Sequence, residues 1–134
     1  MPKEWLKLYE TAKNNLTTNE LSSFVTCGNY SCVIETNNKK IYNGIDIKSN
    51  SKLESKAEDI AIINMINNKE TTVKRIILIN ELEEIIMPNK ESLINLLALS
   101  YDNLNTEIII NENEIKKLSE LLPDWWGTYK PIKK

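Results

Sequence analysis

Apolar residues recur at helical spacing in Trp5, Tyr9, Ala12 and Leu16, which predicts an amphipathic helix over residues 3–19. A polar break follows and the period shortens. NYSCVIET (29–36) reads as a strand, Asn37-Asn38 as a tight turn, and KKIYNGIDI (39–47) as its hairpin partner, with Ile41, Ile45 and Ile47 on one face. Residues 48–54 form a polar loop. From Lys56 the positions Ala57, Ile60, Ala61 and Met65 fit a second helix ending near Asn68, with Ile62, Ile63 and Ile66 widening its buried face. VKRIILIN (73–80) has the β-branched run of a strand covered on both sides. ELEEIIM (81–87) is a loop leading to Pro88. Residues 89–101 repeat the helical pattern, with Leu93, Leu96, Leu97 and Ser100 on one side, and TEIIIN (106–111) is a further buried strand. EIKKL (114–118) has helical composition. A last helical turn, 119–123, ends at Pro123, which cannot continue it comfortably.

This order places a hairpin before alternating helices and strands, which predicts one mixed sheet with helices on its faces. In such sheets a ligand sits where helices begin at strand ends. Two helix starts then matter, at Ser55 and at Asn89. Ser55 and Glu58 have the spacing of a capping box, with Ser55 as N-cap and Glu58 reaching back to it. Asn89 is a good N-cap and Ser92 a tolerable third residue.

Composition narrows the chemistry. The chain has 134 residues, 41% of them apolar, which suits one domain over residues 1–134 with one core. A net charge of −2 offers no basic field for nucleic acid or an anionic membrane surface. No apolar run is long enough for a membrane span, and the charged N-terminus lacks a signal-peptide core, so a cytoplasmic location is expected. Cys27 and Cys32 are then expected as free, buried thiols. There is no histidine, which removes His-based nucleophile schemes and His metal ligands.

The ordered series NNKKIYNG, then Gly44 to Asn50, then Lys56-Ala57-Glu58, then Pro88-Asn89-Lys90-Glu91-Ser92, then Ser119-Glu120-Leu121-Leu122-Pro123 with Trp125-Trp126, resembles the small homo-oligomeric cytidine deaminases. The resemblance runs from about residue 25 to residue 127, and thirty residues separate Glu58 from Pro88, as suits that family. It implies a three-layer α/β/α sandwich, a mixed sheet of about five strands with residues 114–118 as a short edge strand, and a homodimer or homotetramer. It also implies a zinc-activated water and a Glu that shuttles protons without binding the metal, a role that falls on Glu58.

The family's thiolate ligands fall on Lys56, Asn89 and Ser92. An ammonium repels Zn²⁺, and an amide and a hydroxyl are poor ligands for it, so zinc is expected to be absent and cytidine deamination lost. The family's sugar-contacting Asn and Glu fall on Asp46 and Lys48. Asp46 accepts but cannot donate, and Lys48 donates but cannot accept. Trp126 matches an aromatic that closes a neighbouring subunit's site, or else packs the tail. Gly28 occupies the place of an aromatic that stacks on the base.

Each residue also has a plain reading: Glu58 as a cap, Lys56 turned to solvent or else paired with Glu58 in the vacated metal position, Asn89 and Ser92 as helix-start residues. Three functions follow. The first is a zinc-free pocket for a nucleoside, base or related small molecule, lined by Asp46, Lys48, Lys56, Glu58, Asn89, Ser92 and Trp126. The second is a structural or regulatory oligomer subunit with a vestigial pocket. The third is a metal-independent hydrolase using Glu58 and Lys56, which is disfavoured because an adjacent carboxylate raises a lysine pKa when a nucleophile needs it lowered.

Overall fold

The computed structural model describes residues 1–16 and 19–122. Helix α1 (Lys3–Asn15) opens the chain, then come strands β1 (Asn19–Ser22), β2 (Val25–Thr36) and β3 (Ile41–Ser49). Helix α2 (Ala57–Asn67) leads to β4 (Val73–Asn80) and a two-residue strand β5 (Ile85–Ile86). After α3 (Lys90–Leu99) and a 3-10 turn (Tyr101–Asn105) come β6 (Glu107–Asn111), β7 (Glu114–Lys117) and the short helix α4 (Leu118–Leu121). The predicted helices and principal strands are all present. Among the described residues seven strands replace the expected five or so, because the short β1 and β5 extend the sheet at β2 and β4.

The sheet runs through β2, β4, β6 and β7, with β3 on the other edge of β2. β2 is antiparallel to both β3 and β4, whereas β4 and β6 are parallel, with Ile76 beside Ile108. Connecting parallel strands requires a crossover, and α2 and α3 supply them. The apolar run of β4 then divides by parity. Ile77 and Ile79 join Val33 and Ile109 beneath Trp5, Leu8 and Ala12 of α1. Ile76 and Leu78 join Cys32, Ile34 and Ile108 beneath α2 and α3. Burial on both faces is why β4 shows no alternation, and it makes the molecule a three-layer sandwich.

Several boundaries move for identifiable reasons. The hairpin turn has three residues, since Thr36 N–H donates to Lys40 and Lys39 takes a left-handed φ of 66°. The third helix stops at Leu99, and Ser100 accepts the N–H of Asp102 to start the 3-10 turn. Buried Asn103 then ties that turn to both layers: its Oδ1 accepts from Val73 N–H at 2.8 Å, and its amide donates to Thr71 and Leu96 carbonyls. On α2, Ile62 is buried, but Ile63 and Ile66 are exposed, because only one side of the helix meets the sheet. No described helix is long and apolar enough to cross a membrane.

Helix α2 lies almost in contact with β3 at Gly44. A Cβ there would come within 2.4 Å of both Ala57 O and Ala61 N. Neither atom can yield without moving the helix. Gly44→Ala should therefore destabilise the protein by about 1 to 3 kcal/mol, measured as a lower denaturant midpoint with an unchanged slope.

Candidate functional site

The starts of α2 and α3 meet at one end of the sheet, beside the bent part of the β2–β3 hairpin. A cleft of about 730 Å³ opens there. Its floor is apolar, from Leu78, Ile86 and Met87. One wall carries Tyr30, Asp46 and Lys48, and the other carries Lys56, Glu58 and Asn89. Of the residues singled out in the sequence, Asp46, Lys48, Lys56, Glu58 and Asn89 are thus brought together. Ser92 does not line the cleft, and Trp126 lies outside the described residues.

The capping box does not form. Ser55 is held as an extended residue, its N–H and carbonyl both bonded to Ile47 at 3.0 and 2.9 Å. The N-cap therefore shifts to Lys56, whose side chain makes no cap bond, and Glu58 becomes the second helical residue. Its carboxylate turns towards the next helix start. Asn89 N–H donates to Glu58 Oε2 at 3.0 Å, although the two residues are 31 positions apart. Glu58 is only 4% exposed. A carboxylate so placed lies at the starts of two helices, α2 and α3, at once.

The other candidate positions at the helix starts are engaged in the same junction. Asn89 caps α3, its Oδ1 accepting from Glu91 N–H at 2.9 Å, as the sequence indicates. Ser92 is buried, and its hydroxyl donates to Asp59 Oδ1 at 3.0 Å. That bond joins α2 to α3, and of the two residues it is Asp59 that lines the cleft. Lys56 does not pair with Glu58. Its ammonium lies 3.7 Å from Glu91, and their side chains are 45% and 84% exposed. Such a pair is worth little.

Cys32 is fully buried on the α2 face of β2. Burial pushes its thiol well above the usual range, and the charges of Glu58 and Asp59 add to the rise. It stays a neutral thiol, as does a structural cysteine in an apolar core. Both cysteines are free and buried, as expected. Among the described residues no three His, Cys, Asp or Glu side chains group as metal ligands.

Tyr30 was not visible as a site residue from the sequence. Between Cys27 opposite Ile47 and Ser31 opposite Ile45, the residues Gly28, Asn29 and Tyr30 face Asp46 alone. Gly28 takes a φ of 83° in this bulge. Asp46 fills the gap, its Oδ1 accepting from Tyr30 N–H at 2.7 Å. The Gly-Asn pair inside a strand pattern was the available signal, since it marks a bulge.

No protein-family model matches the chain, and no curated protein matches its sequence. Solved structures do match. Cytidine deaminase from Mycobacterium tuberculosis superposes with a TM-score of 0.74 at 16% identity, over 94% of this chain and 99% of that one. The Mycobacterium leprae enzyme gives 0.74 at 15% identity, over 92% and 100%. The Burkholderia pseudomallei enzyme gives 0.68 at 19%, over 92% and 98%. Sequence identity this low, with length and topology matched end to end, identifies an architecture: the chain has the cytidine deaminase fold.

Proposed function

We propose that this protein uses the cytidine deaminase fold as a zinc-free binding module, with its cleft taking a nucleoside, base or related small molecule. One observation carries the reading. Where the two helix starts converge, the side chains are committed to each other, while the cleft beside them stays open. Glu58 holds Asn89 N–H, Ser92 holds Asp59, and Lys56 faces Glu91. An ammonium, an amide and a hydroxyl do not fit Zn²⁺. The one thiol behind the cleft wall is held neutral by burial. Without a metal-activated water, the hydrolytic deamination that this fold supports elsewhere lacks its nucleophile. The third possibility, a metal-independent hydrolase, loses its supposed pair, since Lys56 and Glu58 are turned to different partners.

A ligand that binds only the folded chain raises its apparent stability, by ~2.7 kcal/mol at a hundredfold excess over the dissociation constant. In a thermal-shift screen, at least one of cytidine, uridine, adenosine or their free bases should raise the melting temperature, while added zinc should leave it unchanged. A zinc-dependent rise, with zinc retained after dialysis, would contradict the reading.

The exposed part of α2 favours a second role, as a subunit of a homo-oligomer. Ile63 and Ile66 are 49% and 39% exposed, so this helix presents apolar side chains on its outer side as well as to the core. Helices apolar all round are usually covered. By sedimentation the wild type should be a dimer or larger, and Ile63→Asp with Ile66→Asp should give monomer. A monomeric wild type would dismiss this role.

A further inference from the structure

We propose that the outer edge of β3 is a docking site for a short, uncharged, extended segment of a partner protein, which joins the sheet there as an added strand. The site shares no lining residue with the cleft, so this inference stands apart from the binding reading above. β3 lies on one edge of the sheet and β7 on the other. An edge strand offers unpaired N–H and carbonyl groups, and proteins ordinarily guard it with charges, proline or a bulge. β7 is guarded, since Glu114, Lys116 and Lys117 are three of its four residues. β3 has neither charge nor proline from Ile41 to Ile45, and the extra residues of its irregular pairing belong to β2.

The period of two decides which groups of β3 face outward. The Asn43 carbonyl is turned away from β2, because it accepts from Asn64 Nδ2 of α2 at 2.8 Å. Ile47 also faces outward, its N–H and carbonyl both bonded to Ser55. Ile45 lies midway, so its N–H and carbonyl point the same way, and Asn43 adds a second N–H. Among the described residues no strand pairs with them. Ser55 demonstrates the pairing that this edge accepts, an antiparallel bridge, and the chain then leaves the row to start α2. An added strand takes up the row where Ser55 leaves it.

The shape of the edge selects the occupant. Asn43 and Ile45 lie in a groove of about 360 Å³, with Asn14 and Asn15 at the end of α1 on one side and Ile60 and Asn64 of α2 on the other. Helices on both sides leave room for one strand. They block a second copy of the sheet, which would bring its own helices. No charged residue lines the groove, so a charged segment would lose hydration there without meeting a counter-charge. The four asparagines offer carboxamide donors and acceptors, which match asparagine, glutamine, serine or threonine side chains on the added strand. In this mode main-chain bonds supply affinity, and the side chains alongside supply selectivity.

The test titrates isotope-labelled full-length protein with an acetylated, amidated pentapeptide of alternating threonine and asparagine, following backbone amides by NMR. The Asn43 and Ile45 resonances should shift saturably, and exchange of the Ile45 amide hydrogen with solvent should slow about tenfold at saturation. The same peptide with every backbone nitrogen methylated should move neither resonance, because it has no N–H for the Ile45 carbonyl. A peptide of alternating threonine and glutamate should bind about tenfold more weakly. Asn64→Lys, at an exposed helix position, should weaken binding of the first peptide by about the same factor, as lysines guard other edges. Asn43 and Ile45 resonances unmoved by millimolar peptide would overturn the inference, as would equal binding of the methylated peptide. An Ile45 amide protected without peptide, and losing that protection on dilution, would mean that a second copy covers the edge, and would overturn it too.

Discussion

The bond from Asn89 N–H to Glu58 Oε2 is the contact on which the working end of this molecule depends. Two helices start side by side, each with N–H groups that have no partner inside the helix. Bringing two such ends together without water would leave donors unpaired and like partial charges adjacent. A single carboxylate, almost wholly buried, answers both problems. It accepts from one helix start while belonging to the other, and its negative charge lies near the positive end of each. The Ser92 to Asp59 bond spans the same junction. These two hydrogen bonds connect the starts of α2 and α3.

The rest of the architecture is arranged to deliver Glu58 to that place. β4 has apolar residues on both faces, so it must be central, with α1 below and α2 and α3 above. Gly44 lets α2 approach β3 more closely than a side chain would permit. Ser55, bonded twice to Ile47, brings the chain in as a short extended segment and sets where α2 begins. From that start Glu58 faces α3. The bulge at Gly28 to Tyr30, opposite Asp46, bends the far wall and leaves space between it and the helices. The cleft is the volume enclosed by these choices.

The layers were legible because they follow from local periodicity. Trp5, Leu8 and Ala12 mark one helix face, and VKRIILIN marks a strand buried on both sides. Asn89 as an N-cap was equally local, and it stands. The short strands β1 and β5 were missed because four and two residues carry no periodic signal, and their pairing is decided by neighbours distant in sequence. The capping box was a sound local pattern, Ser55 followed by Glu58. It lost to tertiary contacts: Ile47 took the backbone of Ser55, and Asn89 took the carboxylate of Glu58. Lys56 likewise found Glu91, and Ser92 found Asp59. Five of the residues singled out from the ordered motifs therefore lie together at the cleft, but the partners of Glu58, Lys56 and Ser92 were not foreseen, since those partners lie more than thirty residues away. Tyr30 was missed because its bond to Asp46 depends on the register shift between β2 and β3, which local alternation does not reveal.

The most direct measurement is the stability of Glu58→Ala and Glu58→Gln against wild type, from denaturant midpoints in the absence of metal. If the carboxylate is what joins the two helix starts, Glu58→Ala should lose about 1.5 to 3 kcal/mol, the range for a hydrogen bond to a charged group. Glu58→Gln, which keeps an acceptor for Asn89 N–H, should lose less. A Glu58→Ala protein as stable as wild type, or more so, would contradict this account. It would mean that the buried carboxylate is kept at a cost to the fold, as catalytic groups often are.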